Sequence, residues 1–213
     1  MKKSSRKYLT ALSVVAVIGF SAQADIVKLA EIGVDPAAVV GISGVINHSG
    51  VLAGQYKLKA EDASIIDAFC VDPQYSTTGK LFDYTMIDVS GRYTKAAWLW
   101  ENMSTLGNDA VATQLAIWEV TWENDGAAVD LSAGRFILNT VDNNYSKNNA
   151  INMLNALAAA DLTSFSAEGY RVVVSSETQD YLIKHSVPEP GSTFMLLMGI
   201  VCIGLVGYRR KIS

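Results

Sequence analysis

Reactive side chains are scarce in this sequence, and their scarcity narrows the chemistry. Among 213 residues there are two cysteines, Cys70 and Cys202, and two histidines, His48 and His185. Cys70 sits in Ala68-Phe69-Cys70-Val71-Asp72, a strand-like run. Gln114 follows 44 residues later, inside Thr113-Gln114-Leu115-Ala116-Ile117-Trp118. A glutamine on the apolar face of a helix is costly unless its amide is satisfied. A thiolate held against that amide carbon can displace ammonia and leave an internal thioester. The thioester is an electrophile that an amine or a hydroxyl can open. This is covalent capture by the logic of nucleophilic catalysis, run once and not in turnover, so no enzyme activity is expected. Other uses of the residues stay open. A lone buried cysteine can be a small core residue. A Cys70–His48 or Cys70–His185 hydrolase pair is conceivable, but no local sequence supports it. Asp67, Asp72 and Asp83 are too sparse for a calcium loop, and the Asn/Asp cluster at 142–149 reads as a solvated turn. There is no phosphate-cradling glycine loop and no zinc spacing, so neither metal nor cofactor is expected.

Positioning such a pair needs a strand and a helix brought together. Weak strand signals appear at 26–32 and 39–46. Residues 51–58 read as a strand, and 65–71, carrying Cys70, as its partner across a polar turn with Glu61 and Asp62. Residues 81–89 alternate Phe82, Tyr84 and Met86 against Asp83 and Thr85, another strand. The pattern then turns helical. Residues 94–103 lack alternation and stop before Gly107. Asn108 is a candidate N-cap for a helix running to Glu123, and Gly126 ends it. Val111, Gln114, Leu115, Trp118 and Trp122 fall on one face of that helix. A third helix is expected over 146–160, and closing strands over 171–175 and 181–185. The expected fold is α+β: a β-sandwich or barrel-like part with a helical middle lobe.

The two ends set the compartment. Lys2, Lys3, Arg6 and Lys7 precede an apolar run over 9–20, and Ala22-Gln23-Ala24 is the small-x-small pattern that signal peptidase cuts. Residues 1–24 are therefore read as a signal peptide. At the other end, Val187-Pro188-Glu189-Pro190 precedes an uncharged apolar stretch over 192–208 and a basic end with Arg209 and Arg210. That stretch is just long enough to span a bilayer as a single helix, with its basic flank cytoplasmic and the domain at 25–186 outside. Seven of the 17 basic residues and none of the 21 acidic ones lie outside residues 25–190, which therefore carry a net charge of −11. That balance argues against nucleic acid as a partner. Cys202 falls within the apolar stretch, which leaves Cys70 as the sole thiol of the exported domain. It can form no internal disulfide there.

The tail at 187–213 resembles the PEP-CTERM sorting signal. That resemblance implies an exosortase-type transpeptidase as a partner, an inner-membrane intermediate, and a final place on the surface or in the extracellular matrix of a Gram-negative bacterium. The middle of the chain resembles the Cys-Gln thioester domains of bacterial surface adhesins. Phe69-Cys70-Val71 matches their aromatic-Cys-apolar motif, and Thr113 to Trp118 matches their Thr-Gln-x-Ala-Ile-Trp motif at every fixed position. The similarity covers roughly residues 51–123 and extends more weakly towards 181. The resemblance implies that Cys70 and Gln114 are the bonded pair. Phe69, Thr113, Ile117 and Trp118 would place and shield the bond. The captured ligand would be an amine- or hydroxyl-bearing surface group, in adhesion. Most members of that family sit on Gram-positive cells with a different anchor, so the tail is a departure. The alternative is a structural matrix or biofilm protein whose thioester is absent or only a staple.

Overall fold

The computed structural model describes residues 25–44, 46–73, 79–123, 129–142 and 144–185. The expected signal peptide with Ala22 and Ala24, the helix end at Gly126, the motif at 187–190, the span at 192–208 and the basic pair Arg209 and Arg210 all lie outside these residues. Among the described residues no helix is long and apolar enough to cross a membrane.

Among the described residues, seven strands and three helices make up the domain. β1 (Ile26–Gly44) and β2 (His48–Ala60) form a long antiparallel pair, and β3 (Ile65–Cys70) continues from β2. β4 (Phe82–Asp88) pairs with the start of β1. The helices follow: α1 (Arg92–Glu101) and α2 (Ala110–Trp122), then, after β5 (Phe136–Val141), α3 (Asn144–Ala159). A 3-10 turn at Leu162–Ser164 leads to β6 (Tyr170–Val174) and β7 (Tyr181–Lys184). The pairings run β2-β3-β7-β6-β4-β1-β5, all antiparallel, and β1 also pairs with β2. The ring β1-β2-β3-β7-β6-β4 therefore closes on itself as a six-stranded barrel, with β5 added outside it on the far end of β1. Closure removes the exposed edges an open sheet would present.

β1 joins the two segments that the sequence suggests as separate strands. Gly33 and Pro36 break the alternation, but the pairing with β2 steps past them through irregularities between Glu31 and Gly33 and between Val34 and Ala37. Such bulges bend a strand, and here they let one strand serve the barrel at its start and β5 at its end. The sequence carries no clear strand signal over β5, whose six residues alternate only weakly and lie close to a helix signal.

α2 is the central helix. The sequence suggests one apolar face; instead every residue from Ala110 to Trp122 is buried. It lies among α1, α3 and the strands, so all its sides meet protein. Its N-cap is Asp109 and not Asn108. The Asp109 carboxylate accepts from the Ala112 N–H at 3.0 Å and from the Asn149 amide at 3.2 Å. Asn108 instead takes a positive φ of 51° in the turn before it, a conformation asparagine tolerates better than most residues.

Candidate functional site

Cys70 is the last residue of β3. It stands opposite Tyr181 of β7, and the next residue, Val71, donates its N–H to Asp180 at 2.9 Å. That alternation turns the N–H and C=O of Cys70 away from β7, towards the side where β2 runs. The ladder with β2 ends at the Tyr56–Ala68 pair, so no strand meets Cys70 there. The side chain of Gln114 fills the gap. The Cys70 N–H donates to Gln114 Oε1 at 2.9 Å, and Gln114 Nε2 donates to the Cys70 carbonyl at 2.7 Å. The primary amide thus stands in for the next peptide unit of a strand. It satisfies two buried backbone groups and is itself satisfied, as its complete burial demands.

The sulfur has a different partner. Cys70 Sγ lies 3.4 Å from Oε1 of Gln179, a contact within reach of a weak thiol donor. Gln179 sits two residues before Tyr181, where the chain enters β7. Its Nε2 donates to Glu31 Oε2 at 2.8 Å and also contacts the Tyr181 hydroxyl. That hydroxyl donates to the same Glu31 oxygen at 2.8 Å. Glu31, Gln179 and Tyr181 are all buried. Burial raises the Glu31 carboxyl, against the pull of its bonds to Tyr181 and Gln179. Burial also pushes the Cys70 thiol far above its usual value, although the Trp118 indole and the Asp72 N–H both favour the thiolate. The Trp118 N–H has no hydrogen bond of ordinary geometry, so its influence on the sulfur is that of a weak donor.

Of the residues expected to shield the pair, Phe69 precedes Cys70 in β3, and Thr113, Ile117 and Trp118 lie on α2 with Gln114. Phe69 meets Trp100 of α1 edge-on, with ring centroids 5.0 Å apart. The Thr113 hydroxyl donates back to Asp109 O at 2.8 Å and touches Met153 Sδ of α3 at 3.7 Å. Ile117 and Trp118 are fully buried, and Trp118 leans on Phe136 of β5. One turn on, Trp122 Nε1 donates to Val71 O at 3.2 Å. α2 is thus tied to the end of β3 at Gln114 and again at Trp122.

A small cleft of about 120 Å³ opens beside this end of β3. Val71, Asp72, Arg92, Trp122 and Asp180 are among its walls. Asp72 follows Cys70 by two residues, and Asp180 follows Gln179 directly, so the cleft lies where both chains leave the buried pair. Burial raises the Asp180 carboxyl to about 6; Asp72 adds to the shift and Arg92 opposes it.

Neither histidine belongs to the cluster. His48 is exposed at the start of β2, and His185 donates its N–H to Gly169 O beyond β7. Asp67 pairs with Lys57 on the surface. Among the described residues no group of three His, Cys, Asp or Glu side chains could hold a metal ion. The sequence singled out Gln114 but passed over Glu31, Gln179 and Tyr181. Their only local signal was polarity beside strand residues, and many exposed positions share it.

The chain matches the PEP-CTERM protein-sorting motif over residues 186–211. The motif supports a PEP-CTERM protein, exported, recognised by an exosortase and processed at the membrane. No curated protein and no solved structure matches the chain.

Proposed function

We propose that this exported protein holds an internal thioester between Cys70 and a glutamine side chain, and uses it to attach covalently to amine- or hydroxyl-bearing groups at a cell surface or in an extracellular matrix. The observation that carries the reading is a fully buried cysteine whose thiol lies against the Gln179 amide and whose backbone holds the Gln114 amide, both glutamines being buried. An unpaired thiol in an exported domain needs a use or complete burial. Here it also has two potential acyl donors.

The contacts favour Gln179 as the acyl partner over Gln114, the glutamine expected from the motif. The thiol already lies against the Gln179 carbonyl at 3.4 Å. Gln114 spends both ends of its amide on the Cys70 backbone. Losing its nitrogen as ammonia would orphan the buried Cys70 carbonyl, at a cost of about 1–3 kcal/mol. In this reading Gln114 holds β3 in register, so that the sulfur meets Gln179. Trp118 shields the bond, and the cleft at Asp72 and Asp180 admits the nucleophile.

Accurate mass of the exported protein is the test. A thioester lowers the mass by about 17 Da, the ammonia lost. Methylamine should add about 31 Da to the thioester form, ending about 14 Da above the unreacted chain, and mark the acylated glutamine, which peptide mapping then identifies. Gln179→Ala and Cys70→Ala are expected to abolish the mass loss. Gln114→Ala should reduce its yield without changing which glutamine is marked. A full-mass protein with a free Cys70 defeats the proposal. Methylamine on Gln114 moves the bond to the glutamine of the motif. A thioester that methylamine opens only after denaturation makes the bond a staple in a structural matrix protein.

A further inference from the structure

Glu31 is a carboxyl group inside the barrel, and none of the contacts described above gives it a cation. Structural economy does not explain it, because an apolar residue there would avoid the cost of burying an acid. Its position against Gln179 does. Resting on the thioester reading above, we propose that Glu31 is a catalytic residue of thioester formation, the proton donor to the departing nitrogen of Gln179, with the Tyr181 hydroxyl as its relay. At rest Glu31 Oε2 accepts from the leaving atom itself, Gln179 Nε2, at 2.8 Å, and from the Tyr181 hydroxyl that touches that atom; once the adduct gives that nitrogen a lone pair, the same contacts can carry a proton the other way. On the other side of the same amide, the thiol points at the carbonyl oxygen. Nucleophile, acyl carbon and proton donor thus stand in sequence across one side chain.

The step balances within these groups. The sulfur bonds to Cδ of Gln179 as the thiol proton passes to Oε1. The tetrahedral adduct then collapses, and the bond from Cδ to Nε2 breaks. Glu31 gives its proton to the nitrogen, directly or through Tyr181, and the nitrogen leaves as ammonia. The adduct hydroxyl returns a proton to Glu31 as the carbonyl re-forms. One thiol and one amide become one thioester and one ammonia, and Glu31 ends as it began. An amide nitrogen is a poor leaving group unless it is protonated, which is the demand this carboxyl meets. Burial keeps Glu31 protonated to higher pH than a surface glutamate, the direction a proton donor requires. The titratable groups facing it are the hydroxyls of Tyr56, Tyr84 and Tyr181 and the Cys70 thiol.

The experiment follows the mass of the full-length chain with time as it is refolded from denaturant into detergent. Wild type should lose about 17 Da. Glu31→Gln keeps the shape and should lose it slower by on the order of 10²-fold, the scale of a general-acid contribution. Tyr181→Phe, which keeps the carboxyl and the ring packing, should slow it by about tenfold or more. Near-UV circular dichroism checks that both variants fold. The ratio of wild-type to Glu31→Gln rates should fall towards one as rising pH ionises Glu31, a trend that a purely structural role would not produce. Equal rates in native-like Glu31→Gln and wild type, or a ratio independent of pH, overturn the assignment of Glu31 while the thioester stands. A bond mapped to Gln114 does the same. A wild type that keeps its full mass removes the thioester and this role together.

Discussion

Glu119 should make the protein lose stability as pH rises through neutrality. It lies on α2, wholly buried; one carboxylate oxygen accepts from the Asp130 N–H at 2.7 Å and the other has no partner. Burial, with Glu123 and Asp130 adding, raises its carboxyl from 4.5 to about 7. Between those values the native state holds a proton that the unfolded state has released. The native state is therefore favoured most below pH 4.5, and that advantage drains away as pH climbs to about 7. At about 1.4 kcal/mol per pH unit, the interval is worth roughly 3 kcal/mol. Glu119→Gln keeps the acceptor for Asp130 and never ionises. Urea unfolding of both proteins from pH 4.5 to 8 isolates the effect. Wild type should fall relative to the variant by up to about 3 kcal/mol, with the change complete near pH 8. Glu31 and Asp180 are raised too and act in the same direction, but both proteins share them, so they cancel in the difference. A difference that does not vary with pH would refute the reasoning, because it would mean that Glu119 ionises in the native state as it does in water.

Two further predictions concern the scaffold of the site. Asp109→Ala removes the cap of α2 and the tie to Asn149; it should cost about 1–2 kcal/mol in urea unfolding, whereas Asp109→Asn should recover most of this. Gly44→Ala should cost about 2 kcal/mol and lower the melting temperature. Gly44 has φ +115°, and an added Cβ would fall 2.0 Å from the Arg135 carbonyl oxygen, where β1 meets β5.

The regular elements were legible where one period dominated. Alternation marked β4, the polar turn at Glu61 and Asp62 marked β3 as the partner of β2, and an apolar run with one face at helical spacing marked α2. The run could not show that α2 is enclosed on every side, since the position of its neighbours is not encoded in its own period. Nor could alternation reveal that β1 runs unbroken past Gly33 and Pro36, because bulges hide the pattern while the pairing persists. Of the site, Cys70 and Gln114 were visible because one is a lone thiol and the other an amide among apolar residues. Glu31 and Gln179 were not. They are 148 residues apart, and their hydrogen bond exists only because the ring of strands closes.

Composition and short-range pattern, taken alone, determined that the chain carries a sorting motif at 186–211, which implies export, and that residues 25–190 hold a single thiol. These are properties of residue type and local order, which no folding can alter. The tertiary structure decided what lies against that thiol. Strand register turned the Cys70 backbone to Gln114, and barrel closure brought Gln179 to the sulfur and Glu31 to Gln179. Register and closure are set by pairings between distant segments, so the partners of Cys70 depend on contacts that no local stretch of sequence contains.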